Sequence, residues 1–297
     1  AYETAMSLIQ RGIKINAIID NREQIDSKIS YEVEKNNIEI YKGYTVVDTY
    51  GYRRINKISI MKLSKDGQTV VGDKKNLNCD CLGVSGGWTP AVHLFTQSGG
   101  KLKFREEDQV FIPNVYPSDQ ISIGSCNGDF GLEEIIRNTL SSIKKFLDID
   151  NSEYKTVETI SGLNQSKRNI WLLPSDKSIG KTKSFVDYQN DATAKDIKLA
   201  LREGFRSIEH VKRYTTTGMG TDQGKLGNMH ALGIISETAG TKMGEHGTTT
   251  FRPPYTPLTF GTIVGRNVGE IFDIFRRTPR HDWHVATNAE GENVGEW

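Results

Sequence analysis

The stretch from Phe185 to Phe260 constrains the fold of this chain more than any other. It opens FVDYQNDATAKDIKLALREGFRSIEHVKRYTTTGMGTDQGKLGNM and, after another helix-like run, closes GTTTFRPPYTPLTF. Short polar side chains from Asp191 to Thr193 can accept the orphan backbone donors of a first helical turn. Ile197, Ala200 and Leu201 then repeat with the 3.6-residue period of a half-buried helix. Gly204 ends it, because glycine takes left-handed backbone at little steric cost. A second short helix (Ile208 to Lys212), the polar turn TTTGMGTDQGK and a third helix from about Gly224 to Thr238 complete a small helical module. Its glycine-bearing loop and the proline-stiffened FRPPYTP are the segments expected to meet another molecule.

Composition narrows the partners. Among 297 residues, 38 Lys and Arg balance 37 Asp and Glu for a net charge of +1. No long-range field is built for nucleic acid or an anionic membrane. No apolar run approaches the ~20 residues that span a bilayer. Three cysteines, two of them one residue apart (Cys79, Cys81), make no disulfide framework, so a reducing cytoplasm is the expected setting.

The chain opens on an amphipathic helix (Ala5, Leu8, Ile9) and passes into IKINAIIDNR, an apolar run suited to a buried parallel strand and closed by Asp20. Helix, strand, then acid is the order of the second half of a dinucleotide-binding unit, and the chain reads as an internal piece of a longer protein. From Ile38 to Leu82 alternation predicts an antiparallel ribbon, with a turn at Lys65-Asp66-Gly67. CDCLGVSGG is expected as the last parallel strand, Gly86 and Gly87 at its carboxyl edge, where open α/β sheets bind ligands. HLF, after His93, begins a helix.

QISIGSCNGDFGLEEIIRNTLSSIKKFL reads as strand (Ile121, Ile123), glycine turn and long helix, with Leu132, Ile135, Ile136, Leu140 and Ile143 as the buried face. Gly124, Ser125, Asn127, Gly128, Asp129 and Phe130 form a candidate cofactor-binding turn, because donors at such a helix start can receive a phosphate or a ribose. A simple tight turn is the alternative. The second candidate set is Thr249, Thr250 and Arg252, with Lys212 and Arg213 beside their own threonine run. Hydroxyls with guanidinium and ammonium groups suit a phosphate or a flavin carbonyl, and Pro253, Pro254 and Pro257 would hold Arg252 and Tyr255 in a fixed extended presentation. A loop that only packs between domains stays open. His281 and His284 bracket Asp282 and Trp283, but no second Cys or His group stands at zinc-site spacing, so HDWHV is expected as a docking strand with its Trp buried. No catalytic triad or carboxylate pair stands out.

VDYQNDATAKDI, EGFRSIEHVKRYTTTGMGTDQGK, GTTTFRPPYTPLTFG and RRTPRHDWHV, with CDCLGVSGGWTPAVHLFTQSGG upstream, resemble the alpha subunit of heterotetrameric sarcosine oxidase over most of the chain. The resemblance implies an α/β fold. A partial Rossmann-type nucleotide-binding region of the FAD/NAD-linked reductase type precedes a small all-α ferredoxin-like module and an extended docking segment. The expected divisions are an NAD(P)-type domain with a β-ribbon insertion (1–112), a strand–helix return (113–149), a linker (150–184), the helical module (185–245), a flavin and subunit interface segment (246–280) and the start of an aminomethyltransferase-like folate domain (281–297). The module is similar to one that binds a two-iron two-sulfur cluster, but neither FVDYQND nor GMGTDQGKLGN carries a thiolate ligand, so no cluster is expected.

In such an oxidase, sarcosine is oxidatively demethylated to glycine and hydrogen peroxide, with methylenetetrahydrofolate formed from tetrahydrofolate. The resemblance places NAD at the Gly124–Phe130 turn and FMN, shared with the beta subunit, at Thr249, Thr250 and Arg252. FAD, tetrahydrofolate and zinc belong elsewhere in a complex with beta, gamma and delta subunits. These residues would supply scaffolding and no catalytic group, so the chain alone is expected to oxidise nothing. The rivals are a heteromeric proline or opine dehydrogenase and a non-catalytic nucleotide-binding electron-transfer module.

Overall fold

In the computed structural model, residues 1–25, 28–117, 119–148, 169–266, 268–269 and 276–292 are described. The chain is a mixed α/β protein that divides into two units, Ala1–Tyr255 and Thr256–Trp297. No helix among the described residues is long and apolar enough to cross a membrane.

Helix α1 (Tyr2–Ile9) leads into strand β1 (Ala17–Asp20), helix α2 (Lys28–Lys35) and strand β2 (Glu39–Lys42). The two strands pair in parallel, Ala17 opposite Glu39 and Asp20 opposite Lys42. Parallel neighbours need a crossover, which α2 supplies. The sequence reading assigned no helix there and put Glu39–Lys42 in the antiparallel ribbon; three apolar residues in α2 (Ile29, Tyr31, Val33) are too few to announce a helix by period. Tyr2, Ala5, Ile18, Val33 and Ile38 form its core. At the carboxyl end of β1, Asp20 accepts hydrogen bonds from the Tyr2 hydroxyl (2.9 Å) and from both arms of Arg22 (3.0 and 2.6 Å). Burial pushes its carboxyl up, but the hydrogen bonds from Arg22 and Tyr2 outweigh burial and hold it below the usual carboxylate range.

The expected ribbon forms as β3 (Tyr44–Gly51), β4 (Ile55–Leu63) and β5 (Val70–Asn78), antiparallel in that order. CDCLGVSGG, in contrast, is not a strand. From Asp80 to Pro90 the backbone has no ladder partner among the described residues, and Val84 and Trp88 are 84% and 79% exposed. Three glycines, Gly83, Gly86 and Gly87, remove the side chains that a strand would pack, and so raise the entropic cost of extension.

Helix α3 (His93–Gln97) precedes a hairpin, β6 (Lys101–Arg105) and β7 (Val110–Val115). Successive residues of β7 point to opposite faces. Phe111 enters the core of the helical module, while Ile112 lies against Gly128. Ile121 and Ile123 form no strand; a 3-10 turn, Gly124–Asn127, leads to helix α4 (Leu132–Leu147). The helix is as long as its period predicts, yet none of its residues is buried: Leu132 is 58% and Phe146 62% exposed. Ile135, Ile136 and Leu140 are half-buried and Ile143 is exposed, so the expected buried face lacks a full cover. Residues 150–168 of the expected linker (150–184) lie outside the described residues, while Trp171 and Leu172 of its remainder lie on the module's core.

The module itself follows its sequence closely. Strands β8 (Phe185–Asp187) and β9 (Ala192–Thr193) make a short antiparallel pair before α5 (Ala194–Arg202). Thr193 caps α5 and Asp196 returns the bond to the Thr193 amide, a reciprocal capping box that contributes roughly 1 kcal/mol. At the far end, the Gly204 amide bonds the Leu201 carbonyl and the Phe205 amide the Ala200 carbonyl, with Gly204 at φ +100°, the two-bond stop that favours glycine. Helix α6 runs Ile208–Thr215, three residues beyond the expected end, and α7 covers Asn228–Ala239, starting four residues late because Gly224–Gly227 is a turn. Helix α8 is Met243–His246. Ile197, Val211, Leu232, Ile234 and Ile235 are almost wholly buried, each contributing on the order of 1.5–3 kcal/mol.

In the second unit, α9 spans Phe260–Val264 and α10 His281–Ala286. HDWHV is therefore helical, and Trp283 is 61% exposed with its ring against His284. The expectation of a strand with a buried Trp fails because the local i→i−4 bonds win: the His284 amide reaches the Arg280 carbonyl and the Thr287 amide that of Trp283.

Candidate functional site

The turn between α6 and α7 is built around two side chains, Asp187 and Asn228. Asp187, at the end of β8, is 6% exposed and accepts from the amides of Gly218 (2.7 Å), Gln189 (2.8 Å) and Asn190 (3.1 Å). Burial pushes the carboxyl up, but these amides more than offset it and hold it below its ordinary range. Asn228 donates to the Gln223 carbonyl (3.1 Å) and to Thr249 Oγ1 (2.8 Å). A Cβ at Gly218 or Gly224 would stand 2.4 or 2.1 Å from Asn228 Oδ1, and both positions have positive φ. Glycine is required there by space and by backbone alike.

From this turn Gln223 grips the proline segment. Its Oε1 accepts from the Arg252 amide (2.8 Å), and its Nε2 donates to the carbonyls of Arg252 (2.8 Å) and Pro254 (3.2 Å). Lys225 donates to the Tyr255 carbonyl and lies 4.1 Å from the centre of the Tyr255 ring. Phe251 is buried edge-on against His93, ring centres 3.8 Å apart. Burial, then the nearby Lys225 charge, push His93 down to about 4. A small cavity of about 40 Å³ lies between Thr89–Thr96 of the α3 region, Phe111, the 224–229 turn and Thr248–Phe251. That is room for water and not for a cofactor.

The result is a ridge whose backbone is clamped and some of whose side chains face solvent. Thr250, Arg252, Pro253 and Pro254 are exposed, while Thr249 is 3% exposed and spends its hydroxyl on Asn228. The segment bends at Pro253 and Tyr255 and does not run extended throughout. Tyr188, Met219 and Leu226 of the same module are 73%, 55% and 74% exposed, so the turn presents apolar side chains to solvent. Among the described residues no hydrogen bond or ion pair ties Lys212 or Arg213 to the ridge; Arg213 pairs with Glu209 at 2.8 Å along α6. The Thr215 hydroxyl donates to the Val211 carbonyl (2.8 Å) and bonds the Thr217 hydroxyl (2.7 Å).

The Gly124–Phe130 turn lies on the opposite face of the β6–β7 hairpin. Arg105, paired with Asp108, donates to the Gly128 carbonyl (2.9 Å), and the Asp129 amide bonds the Gly124 carbonyl (3.2 Å). The first turn of α4 has no side-chain cap. Asp129 is 6% exposed, and its Oδ2 has no hydrogen-bond partner among the described residues. Phe130 is 38% exposed. His281 and His284 sit on α10, and no cluster of three or more metal-ligating side chains occurs among the described residues.

Sequence reasoning found both loops but missed the residues that hold them: Asp187, Gln223, Lys225, Asn228 and His93. Their work is long-range, and only the density of Asp, Asn and Gln around the glycines hinted at it.

Residues 181–266, the whole of this turn-and-ridge arrangement, match the family described as the sarcosine oxidase A3 domain. Along its full length the chain is 33% identical to the sarcosine oxidase alpha subunit of Corynebacterium sp. strain P-1, of which it covers 31%. The chain is homologous to sarcosine oxidase alpha subunits. The alpha subunit of Rhizobium meliloti strain 1021 is 32% identical over 302 residues, with 100% of this chain and 29% of that protein covered. The chain thus spans about a third of the length of the curated sarcosine oxidase relatives it matches. In fold it is similar to L-proline dehydrogenase from P. horikoshii, with a TM-score of 0.52 at 19% identity over 84% of this chain and 49% of that one.

Proposed function

We propose that this chain serves as part of the alpha subunit of a heterotetrameric sarcosine oxidase, binding cofactors and a partner subunit and leaving bond breaking to other parts of the complex. The observation that carries the reading is the ridge within the A3-like region: Thr250 and Arg252 exposed on a backbone that Gln223 and Lys225 clamp. Free hydroxyl and guanidinium groups on a rigid edge suit a phosphate or a flavin carbonyl. The occupant is FMN, shared with the beta subunit, and the exposed Tyr188, Met219 and Leu226 of the same module supply apolar contact with that subunit. FMN, when bound, would pass electrons from the amine-oxidising centre to oxygen. Thr249, committed to Asn228, positions the ridge and does not touch the flavin.

The Gly124–Phe130 turn suits NAD. Uncapped amides at the start of α4 favour an anion, and the unpartnered Asp129 Oδ2 favours a hydroxyl donor such as a ribose. This NAD holds structure together and does not turn over. Under this reading α1–β1–α2–β2 belongs to a Rossmann-type domain (1–112) with β3–β5 as its insertion. The strand–helix return is 113–149 and the linker 150–184. A ferredoxin-like module without its cluster occupies 185–245, the interface segment 246–280, and a folate domain begins at 281.

The test is Arg252→Ala in the assembled complex. FMN content falls at least several-fold while FAD content is unchanged; full FMN occupancy would end the assignment.

A further inference from the structure

We propose that Cys79 and Cys81 form a vicinal dithiol that closes reversibly to a disulfide when oxidised by a hydroperoxide. The two thiols flank Asp80 where β5 ends: the Cys79 amide still bonds the Asn56 carbonyl (3.2 Å), and the chain then bends at Asp80. Two residues of fully extended chain span roughly 6.6–7.2 Å. A disulfide needs Cα atoms about 4.4–6.8 Å apart; an extended pair would stand at the edge of that range, and the chain is already bent at Asp80, the direction in which closure must go.

The surroundings allow the remaining adjustment. Downstream the chain runs exposed and unpaired through Gly83, Gly86 and Gly87, so ring closure has no ladder to break on that side. Between the two thiols, Asp80 pairs with Arg54 at 3.2 Å, an exposed ion pair that closure need not bury. Both cysteines are free thiols, Cys81 exposed and Cys79 half-buried. Burial, Asp80 and Cys81 push the Cys79 thiol up, and Cys81, the exposed thiol, meets the peroxide first. Its thiolate displaces hydroxide from hydrogen peroxide to give a sulfenic acid. The Cys79 sulfur then attacks that sulfur, expelling the hydroxyl as water. Two thiols and one peroxide thus yield one disulfide and two waters. A thiol reductant reverses the change. Cys126, whose Sγ faces the Ile123 carbonyl at 3.0 Å, takes no part.

The experiment treats the purified chain with a small excess of hydrogen peroxide and counts thiols after denaturation. Two of the three thiols disappear, an intramolecular bond between Cys79 and Cys81 is seen by peptide mass spectrometry, and dithiothreitol restores both. Cys126→Ser leaves the result intact, whereas Cys79→Ser and Cys81→Ser each abolish the bond. Phenylarsine oxide, which bridges two neighbouring thiols with loss of water, binds the native protein and neither single Ser variant. Independent oxidation of the two cysteines to sulfinic acids, a bond to Cys126 or only intermolecular bonds, or no arsenical binding to the reduced native protein overturns the proposal.

Discussion

His93 shows how a single side chain ties the ridge to pH. Its ring is packed on Phe251 and Tyr255, and burial near Lys225 lowers it from 6.5 to about 4. The unfolded chain therefore takes up a proton at higher pH than the folded one. The stability that neutral His93 provides is complete above pH 6.5 and is lost as pH falls from 6.5 towards 4. The loss is on the order of 2 kcal/mol by pH 5. Urea midpoints at pH 7 and pH 5 measure it: the wild type falls between the two, and His93→Phe falls by distinctly less. An equal fall in both would show that His93 is not the group responsible. Among the other residues, Asp187, Gln223 and Asn228 could not be ranked from sequence. Each acts on backbone amides or carbonyls around 30 residues away or on neighbouring turns, and a polar side chain in a loop carries no mark of such a partner.

At the scale of elements, the sequence was legible wherever local rules decide. Thr193, Asp196 and Gly204 bound α5 within a residue or two of expectation, because caps and stops are local chemistry. The β3–β5 sheet emerged from alternation alone. Where a neighbour had to be supplied, sequence is a poor guide: neither the glycine-bearing CDCLGVSGG nor Ile121–Ile123 has a ladder partner among the described residues. HDWHV as a docking strand implies a buried Trp283, yet α10 leaves it facing solvent. Trp171, by contrast, packs on the module's core, and α7 accommodates it only because residue 233 is glycine. A Cβ there would lie 2.2 Å from Trp171 Cγ, against the body of the indole and not a flexible end. Gly233→Ala is expected to destabilise the chain by about 1–3 kcal/mol and to displace the indole. Urea denaturation followed with near-ultraviolet circular dichroism reads both effects; an unchanged midpoint and spectrum would mean that Trp171 is not seated on α7.

For the whole molecule, the first unit combines a parallel βαβ pair, an antiparallel sheet and a helical module whose core also takes in the β6–β7 hairpin and the 171–179 segment. Homology covers all of it, yet the chain corresponds to about a third of its sarcosine oxidase relatives, and under the proposed reading a partner subunit covers the exposed Met219 and Leu226 of the turn. Hydrogen–deuterium exchange on this chain, alone and assembled with the other subunits of the proposed oxidase, measures that directly. The amides of residues 215–227 and 248–252 exchange more slowly in the assembly if the ridge is the flavin-facing joint. Unchanged exchange there, with protection only elsewhere in the chain, would contradict the account.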